Sequence, residues 1–222
     1  MIKIGGTVKR FKRIYIYAAL LGPLAAAASG QEWYAGAIGG FGYAPSLTVT
    51  SPSGSANTGL SNSYALGAYL GEEMYNRWGG EVRYLYRQSD LKLESGGTSV
   101  HFAGHNNLIN GDFLYHFRPR ESTVRPFIAF GAGMEFLTGT GAESASQPLG
   151  KFAALTNTRE TLPAGDVGAG VKANFRKSWQ FRAEVRDYIS PAPHKVIAAA
   201  PGTSLTGWLN DIIVTGSIGY RW

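Results

Sequence analysis

Apolar and polar side chains alternate along most of the chain with a repeat of two residues, the period of a β-strand and not of an amphipathic helix. The last twelve residues, DIIVTGSIGYRW, show this repeat most clearly. Their apolar face comprises Ile212, Val214, Ile218, Tyr220 and Trp222, and the opposite face carries Ile213, Thr215, Ser217 and Arg221. Chain termini are commonly polar and frayed. A terminus with one apolar side therefore predicts an ordered strand that faces an apolar environment.

The same alternation predicts eight strands of about 9–12 residues, the length that a tilted membrane-spanning strand requires. They cover 33–43, 64–75, 79–87, a segment within 100–117, 125–136, 165–175, 179–188 and the segment after 209. Short turns at 76–78, 118–122 and 176–178 alternate with long loops at 44–63, 88–99, 137–163 and 189–209. Outer-membrane barrels have short periplasmic turns and longer external loops. We therefore expect an all-β fold, an eight-stranded antiparallel up-and-down transmembrane β-barrel with both termini in the periplasm.

Charged residues fall on one face of several predicted strands and are expected to point into the barrel. An interior enclosed by eight strands is filled by side chains, so buried charges there need partners. The expected lumenal polar network comprises Glu73, Glu81, Arg83, Asp112, Lys172, Arg182, Glu184, Arg186 and Arg221. Spacing by two predicts an ion-pair ladder through 182–186. Centring the first short turn on Arg77 places Glu73 opposite Glu81, which requires a nearby cation such as Arg83. A gated narrow pore is the alternative to a packed polar interior.

Aromatic residues cluster at the two ends of the predicted strands. Trp33, Trp78, Trp179 and Trp222 lie at the periplasmic ends, and Tyr43, Tyr64 and Tyr86 lie near the outer ends with Phe136 and Trp208. Amphipathic rings at headgroup level form such girdles in membrane barrels. A soluble β-sandwich also alternates, but it would turn its large aromatics inward and spread them along the strands.

The basic charge of the chain belongs mostly to its first thirty residues. Residues 1–30 carry five basic residues, then an apolar run, then small residues, which is the order of a secretory signal peptide. Taking those five from the total of 21 leaves 16 basic against 15 acidic residues, a net charge of +1. We expect a signal peptide at 1–30, a barrel domain at 31–222, and no nucleic-acid partner. A retained membrane anchor is the alternative for the first segment.

Motifs for cofactor or metal chemistry are weak. The chain has no cysteine, which excludes disulfides, thiolate zinc sites, cysteine nucleophiles and a lipoprotein anchor. The GAG runs at 131–133 and 168–170 do not extend to the GxGxxG of a dinucleotide site. His101 and His105 are four apart, which on a strand is too far for one metal ion. We expect no metal site and no cofactor.

Three residues near the last loop raise an enzymatic alternative. Asp187, Ser190 and His194 lie close in sequence, as a hydrolase could require. Eight-stranded lipid A deacylases use Ser and His at the outer rim of a barrel, with Ser two residues after His, and this chain has no His-x-Ser. We therefore expect no enzyme activity, with a lipid A-modifying enzyme as the alternative.

Five segments resemble the OmpA-like eight-stranded outer-membrane barrel family. They are WYAGAIGGFGY (33–43), RPFIAFGAGMEF (125–136), GAGVKANF (168–175), FRAEVRDY (181–188) and the terminal GYRW. The resemblance implies insertion by the outer-membrane assembly machinery, which reads a last strand ending in an aromatic residue, here Ile218, Tyr220 and Trp222. The best-known member carries a peptidoglycan-binding domain after its barrel. This chain ends at the barrel, so we expect no tether to the cell wall. At Ile38, on the expected inward face, such barrels often carry a polar residue.

These observations lead to one functional expectation. We expect a protein of the bacterial outer membrane with a structural and surface-interaction, adhesion-like role through four external loops. Its expected partners are outer-membrane lipid and lipopolysaccharide, the assembly machinery and a surface ligand, and the expected state is a monomer. A narrow, porin-like diffusion channel is the first alternative, and an enzyme that modifies lipid A is the second.

Overall fold

A computed structural model describes residues 32–144, 146–176 and 178–222. The predicted signal peptide at 1–30 lies outside the described residues. The described part of the chain contains the strands β1 (Glu32–Tyr43), β2 (Leu47–Ser51), β3 (Gly54–Leu60), β4 (Ser63–Glu73), β5 (Trp78–Gln88), β6 (Leu91–Ser95), β7 (Thr98–Phe102), β8 (Gly104–His116), β9 (Val124–Gly139), β10 (Ala153–Leu155), β11 (Arg159–Phe175), β12 (Trp179–Pro191), β13 (Ile197–Ala199), β14 (Ser204–Thr206) and β15 (Trp208–Arg221). The described residues contain no helix long and apolar enough to cross a membrane.

Eight of these strands close into an antiparallel barrel in the order β1-β15-β12-β11-β9-β8-β5-β4. The first and last strands complete the ring, with Ala37 paired to Ile218 and Phe41 to Val214. Beyond the strand ends, the Trp33 amide donates to the Trp222 carbonyl (3.2 Å) and the Trp222 amide donates to the Trp33 carbonyl (3.0 Å). The predicted fold class is confirmed, and the apolar terminus is the strand that leaves the barrel without a free edge.

The two faces of the barrel wall differ as the alternation predicts. Large apolar side chains on the outer face are exposed, because a membrane and not protein surrounds them. Examples are Phe41, Leu66, Val82, Ile109, Phe130, Val167, Val185 and Val214. The inward positions between them are buried and include Ile38 and most of the charged residues of the strands. The barrel is therefore apolar outside, and inside it charged side chains lie among buried apolar and aromatic ones such as Tyr34, Ile38 and Leu85.

Four barrel strands continue by two or more residues into segments that the sequence predicts as loops. β9 runs to Gly139, β11 begins at Arg159, β12 runs to Pro191 and β15 begins at Trp208, so the predicted loops 137–163 and 189–209 are too long. Pro163 argues against a strand there, because proline cannot donate to a ladder. However, the β11–β12 ladder begins only at the pair Gly165–Ile189, so β11 is paired on one side alone, with β9, at Pro163. Proline is tolerated in such an edge position.

The four long connections fold together on one side of the barrel. We call them the external cap; its described residues are 44–62, 89–103, 140–144, 146–158 and 192–207. A five-stranded sheet in the order β14-β2-β3-β6-β7 and the pair β10–β13 form its framework. Each connection contributes to one buried apolar cluster, which also includes Leu137, Leu162 and Leu209 from the barrel strands. The external loops are thus an ordered layer with an apolar core of its own.

Removal of Trp222 tests the closure of the barrel. The deletion removes both backbone hydrogen bonds to Trp33, each worth about 1 kcal/mol net, and the exposed ring beside Tyr220. We expect the inserted fraction to fall several-fold, measured as heat-modifiable migration of the protein in membranes. Trp208→Ala is the control, because it removes an exposed tryptophan at the other end of the same strand. Normal insertion of the deletion variant would contradict this account of the terminus.

Candidate functional site

The barrel interior contains a central cluster of ion pairs around Glu81. Its Oε1 accepts hydrogen bonds from Arg83 Nη2 (2.8 Å), Arg182 Nη2 (2.7 Å) and Arg186 Nη2 (3.2 Å). Glu184 accepts from Arg182 Nε (3.1 Å) and pairs with Arg83 and Arg186. These five side chains are at most 3% exposed. Glu184 thus contacts both Arg182 and Arg186, which is the ion-pair ladder expected on β12.

Three of the six ion pairs within this cluster cross the barrel, and the other three join residues of a single strand. Glu81 lies on β5, whereas Arg182 and Arg186 lie on β12, four places away in the ring of eight. Opposite walls are therefore joined by charge-assisted hydrogen bonds, which are shorter and stronger than neutral ones. A barrel whose opposite walls are joined in this way resists both collapse and opening of its lumen.

Two aspartates extend the central cluster. Arg186 Nη1 donates to Asp112 Oδ2 (2.6 Å) and to Asp166 Oδ1 (2.9 Å). Asn110 Nδ2 donates to the other oxygen of Asp166 (3.0 Å). Asp166 was not among the predicted network residues, although its inward position follows from the alternation of β11, where it lies two residues before Gly168.

A second cluster lies nearer the periplasmic end, around Glu73. Its Oε1 accepts from Arg125 Nη1 (2.8 Å) and from Lys172 Nζ (2.9 Å). β11, which carries Lys172, again stands opposite β4, which carries Glu73. The predicted network omits Arg125. This residue begins the predicted strand 125–136, for which no inward face is predicted.

The predicted opposition of Glu73 and Glu81 is wrong. In the β4–β5 ladder Glu81 pairs with Gly71, and Glu72 pairs with Gly80. The hairpin is therefore centred on Asn76 and not on Arg77. In its turn, the Tyr75 amide donates to the Trp78 carbonyl (3.0 Å). The shift separates the two glutamates into different clusters, each with its own cations.

A third set of contacts lies at the outer end of the interior. Arg87 pairs with Asp211 and donates from Nη2 to the Ser61 carbonyl (2.9 Å). Asn106 Nδ2 donates to Glu135 Oε1 (2.6 Å). None of these side chains was in the predicted network, although all lie on inward faces. Arg221 belongs to the predicted network, but it lies at the periplasmic rim and not in the interior. It pairs with Glu32 (3.2 Å), and its side chain is 20% exposed.

The predicted girdle residues lie at the two ends of the outer barrel face. Trp78, Trp179, Trp222, Tyr43 and Tyr64 are between 40% and 61% exposed, and Trp33 and Tyr86 are half-buried. At the periplasmic end, the rings of Trp179 and Tyr220 meet edge to face (5.5 Å between centroids). Their roles in membrane anchoring and assembly remain proposals.

The three candidate hydrolase residues do not come together. Asp187 lies on the outward face of β12 and accepts from Asn210 Nδ2 (2.7 Å). Ser190 lies on the inward face and is buried, whereas His194 is exposed in the external cap. Residues of odd and even number on one strand point to opposite sides. The sequence neighbours therefore form no Ser–His–Asp arrangement.

Glu160 forms a site that sequence reasoning missed, because 137–163 was predicted to be a loop. Its carboxylate accepts backbone amide hydrogens from His194 (3.2 Å), Lys195 (2.7 Å) and Val196 (3.3 Å). Glu160 is buried and lies on β11, beyond the end of the β11–β12 ladder. One carboxylate therefore fastens the β12–β15 connection to β11 where that strand is paired with β9 but no longer with β12.

Comparison with known families agrees with this geometry. The family described as the outer membrane protein beta-barrel domain matches residues 15–194. The chain belongs to this family. Together with the closed eight-stranded barrel, the match makes the protein an OmpA-like eight-stranded barrel of the bacterial outer membrane. No curated protein sequence matches the chain.

Several solved structures are similar to the chain at low sequence identity. Neisserial surface protein A (NspA) is 10% identical, with a TM-score of 0.54 over 87% of this chain and 100% of its own. The N-terminal barrel of Pseudomonas aeruginosa OprF is 16% identical, with a TM-score of 0.44 over 85% and 97%. The outer membrane protein AlkL is 14% identical, with a TM-score of 0.49 over 89% and 94%. The similarity to NspA concerns the fold alone.

Replacement of Arg182 tests the central cluster. Arg182→Ala leaves Glu81 and Glu184 buried with fewer cations, and breaking a buried pair in this way costs about 3–5 kcal/mol. We expect the free energy of unfolding to fall by that amount in urea titrations of the protein in phospholipid vesicles. Arg118→Ala, at an exposed periplasmic turn, is the control and should change it by less than about 0.5 kcal/mol. A loss below 1 kcal/mol for Arg182→Ala would show that the interior is solvated.

Replacement of Glu160 tests the attachment of the external cap. Glu160→Gln keeps one carbonyl oxygen but loses the charge that binds three backbone amides. We expect hydrogen exchange at His194, Lys195 and Val196 to accelerate at least tenfold, while exchange in β12 stays unchanged. The control is Glu143→Gln, because Glu143 is exposed and accepts a single amide, that of Asn157 (2.6 Å). Unchanged exchange in 194–196 would mean that the apolar core alone holds this segment.

Proposed function

We propose that the protein is a non-enzymatic surface-interaction protein whose external cap is the binding platform and whose barrel is its rigid support. The observation that carries this proposal is the apolar core of the cap, to which all four connections contribute. Solvated loops without a role need no such core. Recognition segments displayed on a rigid scaffold are a common arrangement for binding.

The interior of the barrel supports a structural role rather than conduction. Charged side chains fill it in three successive clusters, and those of the central cluster are joined across the barrel diameter. A conducting path would require several of these pairs to separate, each leaving a buried charge without a partner. The cap core lies beyond the outermost cluster, which adds an apolar layer to the same path. A narrow diffusion channel is therefore the weaker candidate.

The remaining partners follow from the setting of the barrel. Lipid contacts the exposed apolar face, and lipopolysaccharide surrounds the outer rim. The strand that ends in Ile218, Tyr220 and Trp222 is proposed as the segment that the assembly machinery reads. A monomer suffices for this function, because one chain closes the whole barrel.

A steric block on the cap tests the binding role. A nine-residue polar tag inserted between Pro52 and Ser53, at the exposed β2–β3 turn, covers the cap surface without entering its core. The control carries the same tag between Glu121 and Ser122 in a periplasmic turn. We expect bacteria that display the natural protein or the control to adhere at least fivefold better to wells coated with matrix proteins or with polysaccharides than bacteria that display the cap insertion.

Equal adhesion by cells with and without the natural protein would contradict the binding role. Heat-modifiable migration of each variant shows whether its barrel is inserted. Conductance of the purified protein in planar bilayers tests the alternative function as a narrow diffusion channel. Discrete openings would favour the channel, and we expect none.

A further inference from the structure

The five-stranded sheet of the external cap has two chemically different faces. One face packs into the cap core through residues such as Leu47, Val49, Leu91, Leu93 and Leu205. The other face is open to solvent and carries Thr48, Thr50, Ser55, Asn57, Lys92, Glu94, Ser99, His101, Ser204 and Thr206. Six of these ten side chains end in a hydroxyl group, and none is aliphatic or an aromatic hydrocarbon. We call this surface the hydroxyl face.

The strand register aligns polar side chains into a row across the whole sheet. The row consists of Thr206, Thr48, Asn57, Glu94 and Ser99, one from each strand and each paired with the next. Adjacent strands lie ~4.8 Å apart, so the row is about 19 Å long. A surface of this length can contact several units of an extended polymer.

Hydrogen bonds hold one end of the hydroxyl face in a fixed arrangement. Ser99 Oγ donates to Glu94 Oε1 (3.3 Å) and lies 3.2 Å from His101 Nε2. The other ring nitrogen of His101 lies 3.4 Å from Ser61 Oγ. Ser95 Oγ donates to the Ser55 carbonyl (2.9 Å). Side chains that are already ordered lose less entropy on binding, so a ligand would be recognised at lower cost.

A concave site lies at this ordered end. A cavity of about 330 Å³ is lined by Asn57, Glu94, Ser95, Thr98 and Ser99, and by the glycine pair 96–97 at the β6–β7 turn. The volume lies in the range of small-molecule sites. The lining provides an amide, a carboxylate and three hydroxyls, and therefore both donors and acceptors.

The charge of the hydroxyl face selects among ligand classes. Lys92 and Glu94 are neighbours on one strand and cancel, so the face attracts neither a polyanion nor a polycation. The absence of aliphatic side chains among its described residues disfavours an apolar ligand or a lipid chain. A neutral ligand with many hydroxyl groups matches what remains, because each hydroxyl can both donate to Glu94 or Asn57 and accept from a Ser or Thr.

We propose that the hydroxyl face binds neutral saccharide chains, with one sugar ring in the cavity and further rings along the row. This inference rests on the proposed surface-interaction function and names the chemistry of its ligand. In the cavity, the Glu94 carboxylate accepts from sugar hydroxyls while the Asn57 amide both donates and accepts. Contacts of exposed hydroxyls are individually weak, so many protein copies on one cell would strengthen attachment to a polysaccharide.

The test uses the full mature protein in nanodiscs and an array of neutral and sulfated oligosaccharides of four to six sugars. We expect binding to a subset of the neutral oligosaccharides and none to the sulfated ones. Asn57→Ala and Glu94→Ala should each weaken that binding at least tenfold, and Glu94→Gln should weaken it less. One control should bind as the natural protein does: Glu143→Ala, which removes an exposed carboxylate of the cap outside the hydroxyl face.

Three results would overturn the inference. These are no binding to any neutral oligosaccharide, binding that survives Asn57→Ala and Glu94→Ala, and binding confined to sulfated oligosaccharides. Loss of binding in a variant counts only if its heat-modifiable migration and its amide exchange in β6 match those of the natural protein. If the cap insertion at 52–53 abolishes adhesion while the array stays negative, the surface-interaction function stands and the saccharide inference fails. If neither assay shows binding, both fail.

Discussion

The interior of an eight-stranded barrel is closed to bulk water, and every charged group inside it must therefore meet an opposite charge or a hydrogen-bond partner. This requirement organises the whole molecule. Glu81 can remain ionised only because arginines from its own strand and from the opposite wall converge on it. The same pairs fix the diameter of the barrel, since moving either wall would separate charges in a region where an unpaired charge costs several kcal/mol.

Long side chains in a narrow lumen impose a second requirement: the wall must leave enough space for them. Tyr34 and Tyr69 lie edge to face at 5.9 Å, and Lys172 and Arg182 stack on their rings. The backbone of the wall must come close to these rings. A Cβ added to Gly71 would lie 2.5 Å from the ring of Tyr34, and one added to Gly36 would lie 2.5 Å from the hydroxyl of Tyr69. Such close approaches explain part of the high glycine content of the chain.

Local pattern was enough to predict the barrel, because the side-chain period of two is a property of each strand by itself. The strand count, the inward and outward faces and the apolar last strand all followed from it. Partner identities did not follow. Glu73 pairs with Lys172 and does not face Glu81. This pairing depends on the hairpin centre at Asn76 and on which strands stand opposite each other after the barrel closes. Both are long-range properties of the closed ring.

The external cap was missed for a different reason. Its strands are three to seven residues long, so each offers only one to three inward positions, such as Leu47 and Val49 or Leu91 and Leu93. Short alternations among Ser, Gly and Thr are indistinguishable from an exposed loop until several of them pair. Glu160 was missed with them, since its role depends on the backbone of a connection more than thirty residues away.

Two interiors follow from these constraints: one within the membrane, where ion pairs lie among buried rings and aliphatic side chains, and an apolar one above it. They meet where Leu137, Leu162 and Leu209 continue the barrel strands into the cap core. The solvent face of the cap sheet touches neither interior, because the side chains of its strands alternate between core and water. Substitutions at Thr48, Asn57 or Ser99 can therefore change what the surface binds without removing an ion pair or an apolar contact. The specificity of the proposed binding surface could therefore change while the membrane support stays the same.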